Sequence, residues 1–346
     1  MEQESERTSG EAANQRTDTG SVTAPVDGAA ADSSAHLHSQ IRAARSEIES
    51  QVAHARAEFE VANERIKART GRNLILAIVI ALAIGGVLLG SLLFFKSLFV
   101  IFALAASILG TIELSRAMNG SGHRVDVAPQ LVAGSVLILT GYFFDSWMLW
   151  IAVFIAVATV IVWRLVAQMM ARDGRDYSDV LSDALVSGFV QLYAPFLASI
   201  CVVLVRQEHG EWWVLGFVCV VVAADTGAYA AGLTFGKHPM APLISPKKTW
   251  EGFTGAVIAA VGIAMLISIF MLGLPWWFGF IFGLVILATA TFGDLGESMI
   301  KRDLGIKDMS SWLPGHGGIL DRLDSVLPST AAALGLYYLF YPLAVL

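Results

Sequence analysis

The chain has 346 residues, 55% of them hydrophobic and only 15% charged. A soluble domain of this length carries nearer a quarter charged residues, so an ordinary water-soluble protein is excluded. The net charge of −6 points to no particular partner, because much of the acid lies near the N-terminus, and no nucleic-acid partner is expected.

Residues 1–33 are rich in Ser, Thr, Gly, Ala, Glu and Asp and poor in large apolar side chains. Such a segment cannot bury enough surface to offset its ordering entropy, so a disordered tail is expected. Residues 1–20 lack an apolar core, so no cleavable signal peptide is expected and the first span would direct insertion. Residues 34–72 are expected as a cytoplasmic amphipathic helix, because Ile41, Ile48, Val52, Phe59 and Ile66 recur at roughly helical spacing. It reads as a solvated linker helix or as a partner-binding helix.

Residues 73–346 form the membrane domain. A bilayer core takes about 20 apolar residues per helical span. Nine stretches read as spans, at 74–95, 98–115, 128–144, 147–166, 182–205, 212–232, 253–273, 276–294 and 326–345. The expected fold is therefore an all-α polytopic membrane protein. Lys and Arg gather in alternate loops: Arg65, Lys67, Arg69 and Arg72; Arg116 and Arg124; Arg172 and Arg175; Lys237, Lys247 and Lys248; Lys301, Arg302, Lys307 and Arg322. The opposite loops hold Lys96 and Arg206. The positive-inside rule then places the N-terminus in the cytoplasm and, with nine spans, the C-terminus outside. Trp147, Trp150, Trp212, Trp213, Trp276 and Trp277 fall at the outer ends of spans, the headgroup level that tryptophan favours. Cys201 and Cys219 read as packing residues, and Glu113 with Arg116 as a structural i, i+3 pair.

Two cytoplasmic regions carry chemistry. The first begins at Asp225-Thr226-Gly227 and continues to Ser245-Pro246-Lys247-Lys248-Thr249. An ionisable residue inside an apolar run, as Asp225 is, marks a functional site by default. Pro246 stiffens the loop that holds the two lysines. The second runs from Gly293-Asp294 through Glu297, Ser298, Lys301, Arg302, Lys307 and Asp308 to Pro314-Gly315-His316-Gly317-Gly318 and Asp321-Arg322-Leu323-Asp324. If the eighth helix continues, Asp294, Glu297, Ser298 and Lys301 share one face, as do Asp321 and Asp324. Carboxylates crowded at a membrane face need cations. Interleaved Lys and Arg suit phosphate, and glycine N–H groups can approach an anion closely. Together these features describe a metal–phosphate site.

The second region resembles the hallmark stretch of the phosphatidate cytidylyltransferases, the CDP-diacylglycerol synthases. The matching residues are Ser298-Met299-Ile300-Lys301-Arg302, Lys307-Asp308, Pro314-Gly315-His316-Gly317-Gly318 and Asp321-Arg322-Leu323-Asp324. The stretch from Asp225 through Thr249 is similar as well, and the resemblance covers roughly residues 74–346. It implies transfer of CMP from CTP to phosphatidic acid, with release of pyrophosphate. It also implies a divalent cation, Mg²⁺, with a monovalent ion such as K⁺ as a further option, on aspartates at the positions of Asp294 and Asp321. Asp324 is a third ligand or a neighbour of the ligands. The expected catalytic residues are Asp294, Asp321 and Lys301. The expected substrate-binding residues are Asp225, Ser245, Lys247, Lys248, Glu297, Arg302, Lys307, His316 and Arg322. An inner (plasma) membrane is expected, with the site at its cytoplasmic face, and homodimerisation stays open. A CTP-dependent lipid kinase or a transporter are the alternatives. The charge lies at helix ends rather than at the bilayer midplane, which disfavours a transporter.

Overall fold

A computed structural model describes residues 45, 47–51, 53–54, 74–171, 174–310, 312 and 317–344. The expected tail 1–33 and the residue His316 lie outside the described residues. The chain divides into two units, residues 1–65 and 66–346. In the first, the described residues between 45 and 54 are helical, and Arg45 pairs with Glu49 one turn on at 3.1 Å.

In the second unit the helices are α1 (Leu74–Phe94), α2 (Lys96–Gly120), α3 (Val127–Phe143), α4 (Ser146–Met170), α5 (Tyr177–Gln191), α6 (Leu197–Arg206), α7 (Gly210–Phe235), α8 (Trp250–Phe270), α9 (Trp276–Asp303), α10 (Leu320–Leu323) and α11 (Val326–Phe340). A π-helical turn, Leu192–Phe196, joins α5 to α6, so that Tyr177–Arg206 is one continuous span. Its cause is Pro195, which has no N–H to give to the preceding turn. Among the described residues, seven helical runs are long and apolar enough to cross a membrane. They are α2, α4, α5 with α6, α7, α8, α9 and the run Leu320–Leu343. The protein is an all-α polytopic membrane protein.

One element escaped the sequence reading. Between α7 and α8 the chain forms a small antiparallel hairpin, β1 (Pro239–Ala241) and β2 (Ser245–Thr249), in which Pro239 faces Thr249 and Ala241 faces Ser245. Strands this short, broken by prolines, carry no alternating pattern. The Thr249 side chain caps α8 by accepting from Gly252 N at 3.1 Å. Glu251 accepts the backbone N–H groups of Lys237 and His238 at 3.1 and 3.2 Å, which fixes the other end of the hairpin.

Small residues set the helix spacing, as they do where lipid supplies no hydrophobic drive between helices. A Cβ on Gly227 would lie 2.6 Å from both Ala259 Cβ and Gly255 O, so α7 and α8 meet backbone to backbone. A Cβ on Gly283 would lie 2.9 Å from Val261 Cα, which brings α9 equally close to α8.

Two expectations need correction. Trp213 is not an interfacial anchor: it is 1% exposed and packs against Phe278, Phe282 and Tyr337 at ring-centroid distances of 5.6, 5.9 and 5.3 Å. Trp147, Trp150, Trp212, Trp276 and Trp277 are exposed. Glu113 does not pair with Arg116. The Arg116 guanidinium lies 5.2 Å above the Trp312 ring, and Glu113 has other partners, described below. The sequence reading also passed over an ion cluster at the α3–α4–α5 ends. There buried Asp183 takes Arg124 N at 2.9 Å and Arg175 Nη2 at 3.3 Å, and Arg164 reaches Asp126 at 3.3 Å.

Candidate active site

The long helix α9 organises the site. It runs past the expected end at residue 294 to Asp303, which places Asp294, Glu297, Ser298 and Lys301 on successive turns of one face. Two polar clusters form along that face.

The first lies toward the hairpin. Lys248, on β2, donates through Nζ to Asp294 Oδ2. Ser298 Oγ approaches the other oxygen of Asp294 at 3.4 Å. A cavity of about 190 Å³ opens between α7, α8, α9 and β2, with Asp225, Lys247, Lys248, Thr249 and Asp294 among its lining residues. Ala224, Phe253, Ala256 and Leu287 give it an apolar wall. The Asp225 carboxylate lies within electrostatic reach of Asp294, Lys248 and Arg322. Such a cavity has room for part of a polar ligand against an apolar floor, with two ammonium groups at its rim.

The second cluster lies one turn further on. Lys301 Nζ donates to Glu297 Oε1 at 3.1 Å and to Asp321 Oδ1 at 3.0 Å. Asp321 also accepts Met309 N at 3.1 Å and Gly318 N at 2.7 Å, both on Oδ2. Its carboxylate thus closes the loop between α9 and α10 onto the lysine. Glu297 is wholly buried, so its charge depends on Lys301 for compensation. Asp324, at the end of α10, accepts Ser325 N at 2.6 Å and lies within electrostatic reach of Asp294 and Lys301. Gly293 lets α10 approach, since a Cβ there would strike Asp324 O.

Glu113, on α2, holds this loop from behind. It is 1% exposed, and it accepts Ser310 Oγ at 2.6 Å, Ile319 N at 3.0 Å and Leu320 N at 2.8 Å. The last two are otherwise unpaired donors at the start of α10, the groups that an acidic cap satisfies. Gly317 has φ +82, and a Cβ on it would lie 2.9 Å from Asp321 Oδ2. On Gly318 a Cβ would lie 2.7 Å from Glu113 Oε2. The two glycines therefore thread between two carboxylates. The Gly318 N–H is given to Asp321, so it serves the loop rather than an incoming anion.

Most of the residues singled out by sequence converge. Asp225, Lys247, Lys248 and Asp294 share the cavity, and Glu297, Lys301 and Asp321 form the second cluster. Arg302 Nε reaches back to Ile244 O at 3.3 Å and ties α9 to the hairpin turn. Ser245 lies in the hairpin ladder opposite Ala241 and does not line the cavity. Lys307 and Arg322 are exposed. Glu113 was missed as a member of the site. Its signal was a carboxylate in an apolar run, masked by the arginine three residues on.

The expected triad of metal ligands is not assembled. Among the described residues, no group of three His, Cys, Asp or Glu side chains is placed to hold a metal ion. Asp321 already takes Lys301 and two backbone donors. The donor chemistry still suits Mg²⁺, which binds through one or two carboxylates together with substrate phosphate oxygens. Asp294 lies within electrostatic reach of both Asp225 and Asp324.

Comparison with known proteins identifies the family. The model of the cytidylyltransferase family matches residues 75–341. The phosphatidate cytidylyltransferase of Mycobacterium bovis is 37% identical over 278 residues, covering 77% of this chain and 88% of that protein. That of Mycobacterium leprae is 38% identical over 281 residues, with coverage of 77% and 88%. That of Haemophilus influenzae is 43% identical over 138 residues, 38% of this chain and 46% of that protein. The match spans every helix from α2 to α11 and both polar clusters, and the chain belongs to the cytidylyltransferase family.

Proposed function

We propose that this enzyme transfers the cytidylyl group of CTP to the phosphate of phosphatidic acid, giving CDP-diacylglycerol and pyrophosphate. The observation that carries this reading is the convergence of Lys248–Asp294 and Glu297–Lys301–Asp321 on one face of α9, beside a cavity, in a chain of this family. An oxygen of the lipid phosphate attacks the α-phosphorus of CTP. The new P–O bond forms as the bond from the α-phosphorus to the bridging oxygen of pyrophosphate breaks. The electron pair leaves on that oxygen, and no covalent enzyme intermediate is needed.

Both reactants are polyanions, so positioning and charge neutralisation supply most of the catalysis. Lys247 and Lys248 hold phosphate at the cavity mouth. Lys301 presents its remaining proton to a second phosphate, and its other two are fixed by Glu297 and Asp321. Arg302, Lys307 and Arg322 add positive charge around the entrance. Asp294, with Asp225 or Asp324, would hold Mg²⁺ together with phosphate oxygens, and the ion would neutralise charge on the transferring group.

The loop bias of Lys and Arg supports nine crossings, a cytoplasmic N-terminus and a site on the cytoplasmic side of an inner membrane, where CTP is available. The test is purified protein in detergent with phosphatidic acid and α-labelled CTP. Label in a lipid, with pyrophosphate released, bears out the reading. A CTP-dependent kinase would instead leave the label in soluble CDP.

A further inference from the structure

The π-helical turn Leu192–Phe196 brings a residue into the site that the reaction scheme above leaves unused. Tyr193 sits in this turn, half-buried, with its ring stacked on Phe189 at 5.5 Å. Its hydroxyl lies within electrostatic reach of the carboxylates of Glu297, Asp324 and Asp294. The hydroxyl is sealed from solvent and has no hydrogen-bond partner among the described residues, and the same is true of Glu297 Oε2. Buried polar atoms are almost always paired, and exceptions concentrate at functional sites. Two of them here, the Tyr193 hydroxyl and Glu297 Oε2, belong to side chains within electrostatic reach of each other.

The backbone explains why Tyr193 is placed so. A π turn adds one residue to the helix and is found most often at functional sites. It rotates the side chains that follow relative to a regular helix. The turn is locked from the other side, because a Cβ on Gly134 of α3 would come within 2.9 Å of the Pro195 ring. The ring of Tyr193 is thus held by packing on Phe189 and the core rather than by its own hydrogen bond.

We propose that Tyr193 is a positioning residue for cytidylyl transfer, whose hydroxyl donates to Glu297 Oε2 and so holds the Glu297–Lys301–Asp321 chain in register as phosphate arrives. Lys301 carries three protons, two of them committed to the flanking carboxylates at 3.1 and 3.0 Å. When a phosphate competes for the ammonium, a Glu297 fixed at one oxygen only can rotate away. A donor on the second oxygen prevents this and keeps the remaining proton of Lys301 aimed at the substrate. Tyr193 itself touches neither substrate nor metal in this role. The inference rests on the functional reading above.

The test is steady-state kinetics of full-length Tyr193→Phe in detergent, beside the wild-type enzyme, Glu297→Gln and the double variant. Phenylalanine keeps the stacking on Phe189 and removes only the hydroxyl. The expected result is a fall in kcat of about 10- to 100-fold, the scale of a small misplacement of a reacting group. KM for CTP should stay within about twofold and the melting midpoint within a degree or two, and the effect should be largely lost in the Glu297→Gln background. Wild-type kcat in Tyr193→Phe overturns the inference. So does a loss that adds in full to that of Glu297→Gln, or one that falls in step with the melting midpoint. If the wild-type enzyme itself makes no CDP-diacylglycerol, the functional reading fails first.

Discussion

The Lys248 ammonium rests on the Asp294 carboxylate, so an ion pair joins a hairpin of two short strands to a transmembrane helix, beside the Arg302–Ile244 hydrogen bond at the hairpin turn. The two side chains are 27% and 29% exposed. A pair this accessible contributes at most about 1 kcal/mol to stability, and its chief effect is to set where the lysine points. Lys248→Ala is expected to raise KM for CTP and to lower kcat/KM by about 100-fold, with a melting midpoint close to that of the wild type. Lys248→Arg should recover part of the loss. Full activity in Lys248→Ala would remove the hairpin from the site.

Asp321 has a heavier structural duty. Its carboxylate takes Lys301 and the N–H groups of Met309 and Gly318. Asparagine retains one oxygen for a backbone donor but loses the charge opposite Lys301. Asp321→Asn is therefore expected to fold in detergent and to lose turnover by at least about 100-fold. Asp321→Ala leaves two backbone donors unsatisfied and should also unfold more readily. Equal stability of the two variants, measured by thermal melting, would contradict this division of roles.

Glu113 makes the corresponding contact from α2. Removing it by Glu113→Ala leaves Ile319 N and Leu320 N without their acceptor in a buried place. Each such loss costs about 1–3 kcal/mol. The loop between α9 and α10 should then open to proteases, and activity should fall with it. Limited proteolysis of the purified variant, with cleavage mapped to residues 304–319, checks the expectation.

The helices were readable because a bilayer imposes a length on apolar stretches, and the expected spans begin within a few residues of the observed helices. The clustering of Asp225, Lys247, Lys248 and Asp294 was readable because charge in or beside apolar runs is costly enough to mark itself. The hairpin was not, because Pro239, Pro242 and Pro246 break every local strand pattern. Nor was the π turn, whose single Pro195 gives the same sequence signal as a kink. Trp213 was misplaced by its neighbour: an adjacent pair at a helix end looks like an interfacial anchor, yet on a helix two consecutive residues point about 100° apart, and only Trp212 faces outward. Glu113 was assigned to Arg116 by spacing alone, while its true partners lie about 200 residues further along the chain, beyond the reach of any local pattern.

The two glycines before α10 give a sharper test of packing than any charged residue. Gly317 has φ +82, a conformation in which a side chain is strained. Gly318 has no room, since a Cβ would sit 2.7 Å from Glu113 Oε2 and 3.1 Å from Asp321 Oδ2. Gly318→Ala is expected to push the two carboxylates apart, lower the melting midpoint and reduce kcat by at least about tenfold. Because the methyl group bears no charge, wild-type kinetics in Gly318→Ala would show that the spacing of Glu113 and Asp321 does not matter.

Metal dependence follows from the charges that face Asp294. Asp225 and Asp324 both confront it, and Lys248 is the one cation bonded to it among the described residues. A triphosphate brought to this place adds several negative charges to three carboxylates, whose nearby cations are Lys248, Arg322 and a Lys301 already shared with Glu297 and Asp321. A divalent cation held by Asp294 with Asp225 or Asp324 would offset the excess. Chelation with EDTA is therefore expected to abolish turnover, and added Mg²⁺ to restore it. Asp294→Asn should not be rescued at any Mg²⁺ concentration. Asp225→Asn keeps an oxygen ligand at reduced charge, so it should require more Mg²⁺ for half-maximal rate, by about tenfold or more, which is about 1.4 kcal/mol of lost binding. Turnover that persists in EDTA, or an Asp225→Asn variant with an unchanged Mg²⁺ requirement, would mean that Lys248 and the surrounding basic residues balance the nucleotide without a metal at Asp294.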